Sequence, residues 1–434
     1  MQSQTNYQGT VEEKLICWAL VLTYPIYAIG GLYITGSALG WIVLGIVILR
    51  ALVEGENSFK QVPIIVWLWG LGMLVMLISL WVGHTDWSLG TNQTIKSTVG
   101  WAKGWALLGV FPILGAVVDL KPERLIRAIC VVAKHSAIFG IITFIIYLSG
   151  LPGLLFISPL QILGGAGDNF FMVSLYGINP ETAAGRWQFF APWATAAGLL
   201  SCIFVIFCLQ EKDKVWKSWG LAGCAMMALL SQSRAGWVVF IIIILIFLFT
   251  RQLRNPWLLL FLGFLLPIIL LLGEPIYEWG MDAFQQIRGS RPASTRVRAA
   301  LENLALQRWR DEAPIWGHGM VESGIKLVEF MPIGSHHTWF GLLFVKGLVG
   351  LIALAIPMVL SFIYLFVFSF HNLQARSAMC LLVVLFCYSF FENLEILAYL
   401  YWPASFWLGM TFKSLENGEN GENGEHGEHG ESHV

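Results

Sequence analysis

About twelve apolar runs, each near the length of a membrane-crossing helix, recur along this 434-residue chain and decide its class. A bilayer core of about 30 Å is crossed by roughly 20 apolar residues in helical form. Backbone inside lipid must satisfy its own hydrogen bonds, so such runs mean helices rather than loops. They lie near 15–34, 36–53, 62–83, 98–117, 130–150, 190–210, 216–232, 235–250, 255–273, 339–369, 377–392 and 396–412. Only Thr35-Gly36-Ser37 separates the first two, and 151–165 is apolar but interrupted by Pro152 and Pro159, as an interfacial or re-entrant segment would be. With 57% hydrophobic residues, the expected fold is an all-α integral membrane protein with about 12 transmembrane helices.

Cations in the short loops set the expected orientation. One alternating set carries Arg50 and Lys60, then Lys121, Arg124 and Arg127, then Lys212, Lys214 and Lys217, then Arg251 and Arg254, then Arg376. The opposite set holds only scattered cations such as Lys96, Arg186 and Arg234. The positive-inside rule therefore puts both termini in the cytoplasm of a multi-pass protein of the cytoplasmic (inner) membrane. The expected divisions are a cytoplasmic N-terminus (1–14), a first membrane part (15–272), one large extracytoplasmic loop containing helices (273–338), a second membrane part (339–412) and a disordered acidic cytoplasmic tail (413–434). Repeats of Glu-Asn-Gly and Glu-His-Gly give that tail too little apolar surface to fold. The N-terminus, with Glu12, Glu13 and Lys14 before its first run, reads as a retained anchor.

Several function classes are set aside by composition. A formal net charge of −1 gives no global field for nucleic acid. All seven cysteines fall in or beside apolar runs, the pattern of small core residues rather than of a disulfide framework or zinc site. Neither a phosphate-cradling Gly-x-x-x-x-Gly-Lys-Ser/Thr loop nor an Asp-x-Asp pair occurs. No metal and no cofactor is therefore expected, and any phosphate charge must be met by arginine.

The polar interval 273–350 and two shorter outer loops hold the candidate groups. Arg186 precedes an apolar helix in Gly185-Arg186-Trp187-Gln188-Phe189-Phe190, and a snorkelling interfacial arginine is its competing reading. Arg234, in the hairpin Ser231-Gln232-Ser233-Arg234-Ala235-Gly236, is a cation against the topology signal, which points to an anion that holds it. Arg296 and Arg298 open an amphipathic helix with Leu301, Leu304, Ala305 and Trp309 on its apolar positions; a solvated face is the alternative. A guanidinium fork suits phosphate because it donates paired hydrogen bonds and keeps its charge. His336 is a candidate base for an attacking hydroxyl, against the commoner structural histidine. It does not form a metal site with His337, because side chains at i and i+1 diverge.

Gly334-Ser335-His336-His337-Thr338-Trp339-Phe340, with Gly347 and Gly350 after it, resembles the His-Asn-x-Tyr-Leu segment and trailing glycines of the O-antigen ligase and polymerase superfamily. Ser233-Arg234-Ala235-Gly236 is similar to its Ser-Arg-Gly hairpin. Arg296 or Arg298 followed by Pro314 and Gly317-x-Gly319 is similar to the ends of its large outer loop, and Gly185-Arg186 with Phe190-x-Pro192 to its entry segment. The motifs cover roughly residues 180–350. The resemblance implies a metal-independent glycosyltransferase of cell-envelope polysaccharide assembly. Its partners are an undecaprenyl-pyrophosphate-linked glycan, an acceptor glycan, lipid or protein hydroxyl, and the bilayer. By the same resemblance Arg186, Arg234 and Arg296 or Arg298 bind the pyrophosphate, and His336 orients or deprotonates the acceptor hydroxyl.

The sequence departs from the family at three places. His337 stands for the usual Asn, Trp339 for the usual Tyr, and Val345-Lys346 where an acidic residue often precedes the first trailing glycine. His337 and Trp339 are thus expected at the acceptor, and Trp316 with Trp309 and Trp339 as stacking surfaces for sugar, unless they serve as interfacial belt residues. Ligase and polymerase share this site and stay open. A carrier of a small anion such as bicarbonate is the rival from another class.

Overall fold

The computed structural model describes residues 10–55, 58–164, 167–179, 183–250, 252, 292–334 and 336–428. In chain order the helices are α1 (Val11–Val21), α2 (Thr23–Ala28), α3 (Leu32–Glu54), α4 (Ile64–Asp86), α5 (Thr91–Lys103), α6 (Trp105–Val117), α7 (Pro122–Leu148), α8 (Gln161–Gly164), α9 (Ala194–Gln210), α10 (Lys214–Leu230), α11 (Arg234–Phe249), α12 (Pro292–Glu312), α13 (Thr338–Ser369), α14 (Leu373–Tyr388) and α15 (Leu394–Glu428). Two small antiparallel pairs complete the described architecture: β1 (Leu154–Ile157) with β2 (Met172–Ser174), and β3 (Gly177–Ile178) with β4 (Gly185–Arg186).

The apolar runs within the described residues fall mostly on helix, but the boundary expected at Thr35-Gly36-Ser37 lies inside α3, and the chain breaks instead at Leu22 and at residues 29–31; the run 255–273 lies outside the described residues. Five stretches are long and apolar enough to cross a bilayer, namely Leu32–Glu54, Ile64–Asp86, Thr91–Val117, Pro122–Leu148 and Thr338–Ser369, and shorter apolar helices include α9, α11 and α14. The protein is of the all-α, multi-pass membrane class. The segment 151–165 takes a local form that the apolar count does not distinguish. Its prolines hinder a continuous helix, and Leu154–Ile157 instead satisfies its backbone against β2 with all four side chains exposed. The helix α15 continues through Glu428, into the Glu-Asn-Gly repeats.

Burial separates an inner group of helices from an outer one. Helices α6, α9 and α14 are buried almost throughout, as is α15 from Leu397 to Phe412, which is why these segments are apolar on every face. The outer helices keep large apolar side chains exposed, among them Ile78 of α4, Ile145 of α7, Ile241 of α11 and Val359 of α13, the surface that lipid covers. Close backbone approach holds the centre together: a Cβ on Gly409 of α15 would stand 1.9 Å from the Pro112 carbonyl oxygen of α6.

The two ends of the bundle differ in chemistry. At one end ion pairs link three of the expected basic loops, those of Arg50, of Arg124 and Arg127, and of Lys212, into a belt; Arg251 and Arg254 lie outside the described residues. Arg50 meets Glu12 at 2.7 Å, Arg124 meets Glu13, Arg127 holds Glu211 through bonds of 2.8 and 3.0 Å, and Lys212 meets Glu123 at 3.1 Å. The opposite end carries α12, the loops around Arg186 and Arg234, and the turn before α13.

Candidate active site

The packing of α12 on the start of α13 sorts its two arginines. Val297, Leu301 and Ala305 are buried, Ala305 against Ile333, Phe344 and Val345, so one face of α12 lies on the start of α13. Arg298 follows Val297 and is half-buried, whereas Arg296 is exposed. The charge of Arg298 acts on both His336 and Glu392. Arg298, not Arg296, therefore faces the site.

The two adjacent histidines have different work. His337 caps α13: its Nδ1 accepts the Phe340 N–H at 3.3 Å, and its ring stacks on Phe340 at 4.0 Å. His336 is half-buried and directed elsewhere; burial, then the Arg298 charge, pushes its imidazole down to about 4. At neutral pH it is an uncharged base. Thr338 fixes the turn that carries it, donating its N–H to Ser389 O at 2.8 Å and its hydroxyl to Glu392 O at 2.7 Å, while its hydroxyl accepts from Leu394 N at 3.0 Å.

Those bonds bring in Glu392, an acid that the sequence reading did not single out. It is 2% exposed, and its carboxylate accepts from Trp193 Nε1 at 3.1 Å. Burial pushes its carboxyl up, while Thr195, Arg298, Trp193 and Arg186 favour the ionised form. Arg186 lies on β4 and donates Nε–H to Ser231 O at 3.0 Å. Gln232 donates to Gly185 O at 2.7 Å and Trp187 N–H to Leu230 O at 3.0 Å, so the 231–234 hairpin is tied to the Arg186 strand. Ser233 caps α11 by accepting from Gly236 N at 3.1 Å, and Arg234 is the first, half-buried residue of that helix.

The structure thus joins Arg186, Arg298, His336 and Glu392 electrostatically and ties the Arg234 hairpin to Arg186. It holds Trp339 by an indole bond to Ser389 Oγ at 2.7 Å. Trp316 is half-buried in a separate turn, where its carbonyl accepts from Ser79 Oγ at 3.2 Å. Among the described residues no group of three or more His, Cys, Asp or Glu side chains is placed to hold a metal ion.

Trp316 belongs to a turn that mends a broken helix. Gly347 interrupts α13 with φ 59° and ψ −162°, a conformation essentially restricted to glycine. Phe344 O and Val345 O, deprived of helical partners, accept from His318 N and Gly319 N, each at 2.9 Å. Leu348 N and Val349 N donate in turn to Pro314 O and Ile315 O at 3.0 and 3.2 Å. The 314–319 turn is braced from outside: His318 stacks between Trp87 and Phe344, bonds Glu312 at 2.8 Å, and Arg308 joins Glu312 to Glu322. Arg308 holds the Glu312 carboxyl down to about 2. Gly317-x-Gly319 was the sequence signal for this turn; its seat in α13 was not legible.

Residues 219–355 match the family model for O-antigen ligase. This segment is similar to the O-antigen ligase family. It contains Arg234, Arg298, His336 and the Gly347 break, with Arg186 and Glu392 on either side. Comparison with curated proteins gives no match.

Chemically, the candidate site offers arginine forks and a neutral imidazole, with one buried acid on which the charges of Arg186 and Arg298 act. Cations placed where phosphate charge develops lower the barrier to its departure, and a neutral imidazole can take a hydroxyl proton.

Proposed function

We propose that the protein moves a glycan from undecaprenyl pyrophosphate to an acceptor hydroxyl, without a metal, at the outer face of the cytoplasmic membrane. In this reading the chain has about twelve spans, with the basic belt and both termini in the cytoplasm. Arg186, Arg234 and Arg298 hold the pyrophosphate, His336 deprotonates or orients the acceptor hydroxyl, and Glu392 keeps Arg186 and Arg298 from repelling one another before substrate arrives. His337, Trp316 and Trp339 shape the acceptor side through the turns they hold. What supports the reading is that the charges of Arg186 and Arg298 both favour the ionised form of the buried Glu392, and that Arg298 also helps keep the half-buried His336 uncharged.

An inverting displacement fits these groups. The acceptor oxygen loses its proton to His336 as it attacks the anomeric carbon, and the pyrophosphate leaves as an anion that the arginines bind more tightly as its charge grows. A carrier for a small anion is disfavoured, because a transporter's site belongs near the bilayer midplane and these groups gather at one end.

The test is a reconstituted assay with purified protein, undecaprenyl-pyrophosphate-linked glycan and candidate acceptors, run with and without chelator. Chelator-resistant transfer that disappears in His336→Ala is expected. A ladder of products indicates a polymerase and a single addition a ligase. Full activity in both Arg234→Ala and His336→Ala would sink the assignment.

A further inference from the structure

A second polar feature lies on the other side of the His336 turn. A cavity of about 160 Å³ is walled by Gly334 and Thr338, which bracket His336, and by Trp105, Asn393, Lys346 and Glu395. Lys346 is 2% exposed, yet among the described residues its ammonium makes no hydrogen bond and no ion pair within 4.0 Å. The acid that acts on it is Glu395, in the first turn of α15, whose stem packs where Gly104 leaves room; the lysine's charge also reaches His84. Two opposite charges thus face a cavity without closing on each other. Glu395 accepts a hydrogen bond from the Trp105 side chain, while the Lys346 ammonium is left for something polar in the cavity.

The walls restrict what that can be. An acyl chain would leave the Lys346 charge bare, and a phosphate would meet the Glu395 carboxylate. A ring of hydroxyls both donates and accepts, and its apolar face suits the indole of Trp105. The volume is on the scale of a cavity of about 150 Å³ that admits one six-membered ring. We infer that the cavity is a saccharide subsite, in which one sugar ring packs on Trp105 while its hydroxyls bridge Lys346 and Glu395. The inference rests on the glycosyl-transfer reading and adds to it a place for one ring of the acceptor or donor glycan.

The experiment uses the full chain in detergent and, as probe, soluble oligosaccharide released by mild acid from the native cell's surface polysaccharide. Wild-type protein should show a saturable rise in Tm with the probe. The rise should persist in Arg298→Ala and vanish in Glu395→Gln, which keeps the side chain's shape, and in Ile396→Trp, which fills the cavity. In the transfer assay Glu395→Gln should raise one KM about tenfold, as loss of a charged hydrogen bond does. The acceptor KM marks an acceptor ring, the donor KM a donor ring. No probe effect on wild type, a rise in both cavity variants as large as in wild type, or neither KM altered overturns the subsite and leaves the cavity to water. Wild-type protein that binds the probe but transfers nothing refutes only the glycosyl-transfer reading.

Discussion

Gly347→Ala tests the turn-in-helix contact most directly. A Cβ at 347 would lie 2.2 Å from Ile315 O and 2.4 Å from Ile315 C, so the turn cannot stay seated as it is. Undocking forfeits four hydrogen bonds, but α13 recovers two by closing Leu348 N to Phe344 O and Val349 N to Val345 O. The net loss is two bonds, about 1–3 kcal/mol. Keeping the turn docked instead imposes a glycine-only backbone on alanine, about 1–3 kcal/mol before any clash. The cheaper route sets the loss, so the docked state should weaken by about 1–3 kcal/mol, or roughly 5- to 150-fold at about 1.4 kcal/mol per tenfold. Hydrogen exchange at the His318 and Gly319 amides should speed up by that factor while exchange in α9 stays unchanged. Gly317→Ala attacks the same contact from the other side, since its Cβ would lie 2.5 Å from Lys346 N and Gly347 N. The double variant should therefore exchange little faster than either single one. Unchanged protection at 318 and 319 in Gly347→Ala refutes the reasoning.

Three further predictions concern the site. Arg298→Ala should lower kcat/KM on the order of 100- to 1,000-fold, the effect of removing one charge-stabilising donor, while Arg296→Ala, exposed to solvent, should stay within about threefold; equal losses in the two would contradict the orientation of α12. Because burial and Arg298 hold the free-enzyme imidazole of His336 near 4, the base is uncharged above that value and is lost as pH falls through it. The acid limb of kcat/KM should thus lie near 4, and a limb at 6.5 would remove His336 as the base. Glu392→Ala leaves the Trp193 indole N–H unpaired and should destabilise the protein by about 1–3 kcal/mol, whereas Glu392→Gln, which can still accept that bond, should melt close to wild type.

The membrane class was legible because each run needs only composition and length, and lipid leaves helix as the outcome. The face of α12 was legible too, since Val297, Leu301 and Ala305 follow the helical period; the period alone did not choose between Arg296 and Arg298, which needed the place where α12 lies on α13. Glu392, Lys346 and Glu395 were not picked out for opposite reasons. Glu392 looks like a polar residue ending an apolar run, and its importance comes from Trp193 and Thr338, distant in sequence. Lys346 reads as a departure from the family's usual acid; in space an acid does stand near, supplied by α15 rather than by α13. The break at Gly347 is hidden because a glycine inside an apolar run signals helix packing as often as rupture, and only the 314–319 turn distinguishes the two.

The Lys346 and Glu395 charges also bear on how the chain is made. Synthesis delivers α13, with a lysine inside its apolar stretch, before α15 exists to face that lysine. A lone lysine in an apolar helix is costly to insert, up to about 2.5–3.5 kcal/mol at the helix centre on biological insertion scales and less toward the end where Lys346 lies. The half-made protein is therefore least settled at α13. Arrival of α15 completes the charge pair and shapes the cavity in one event, so assembly of the membrane core and assembly of the proposed sugar subsite are the same step.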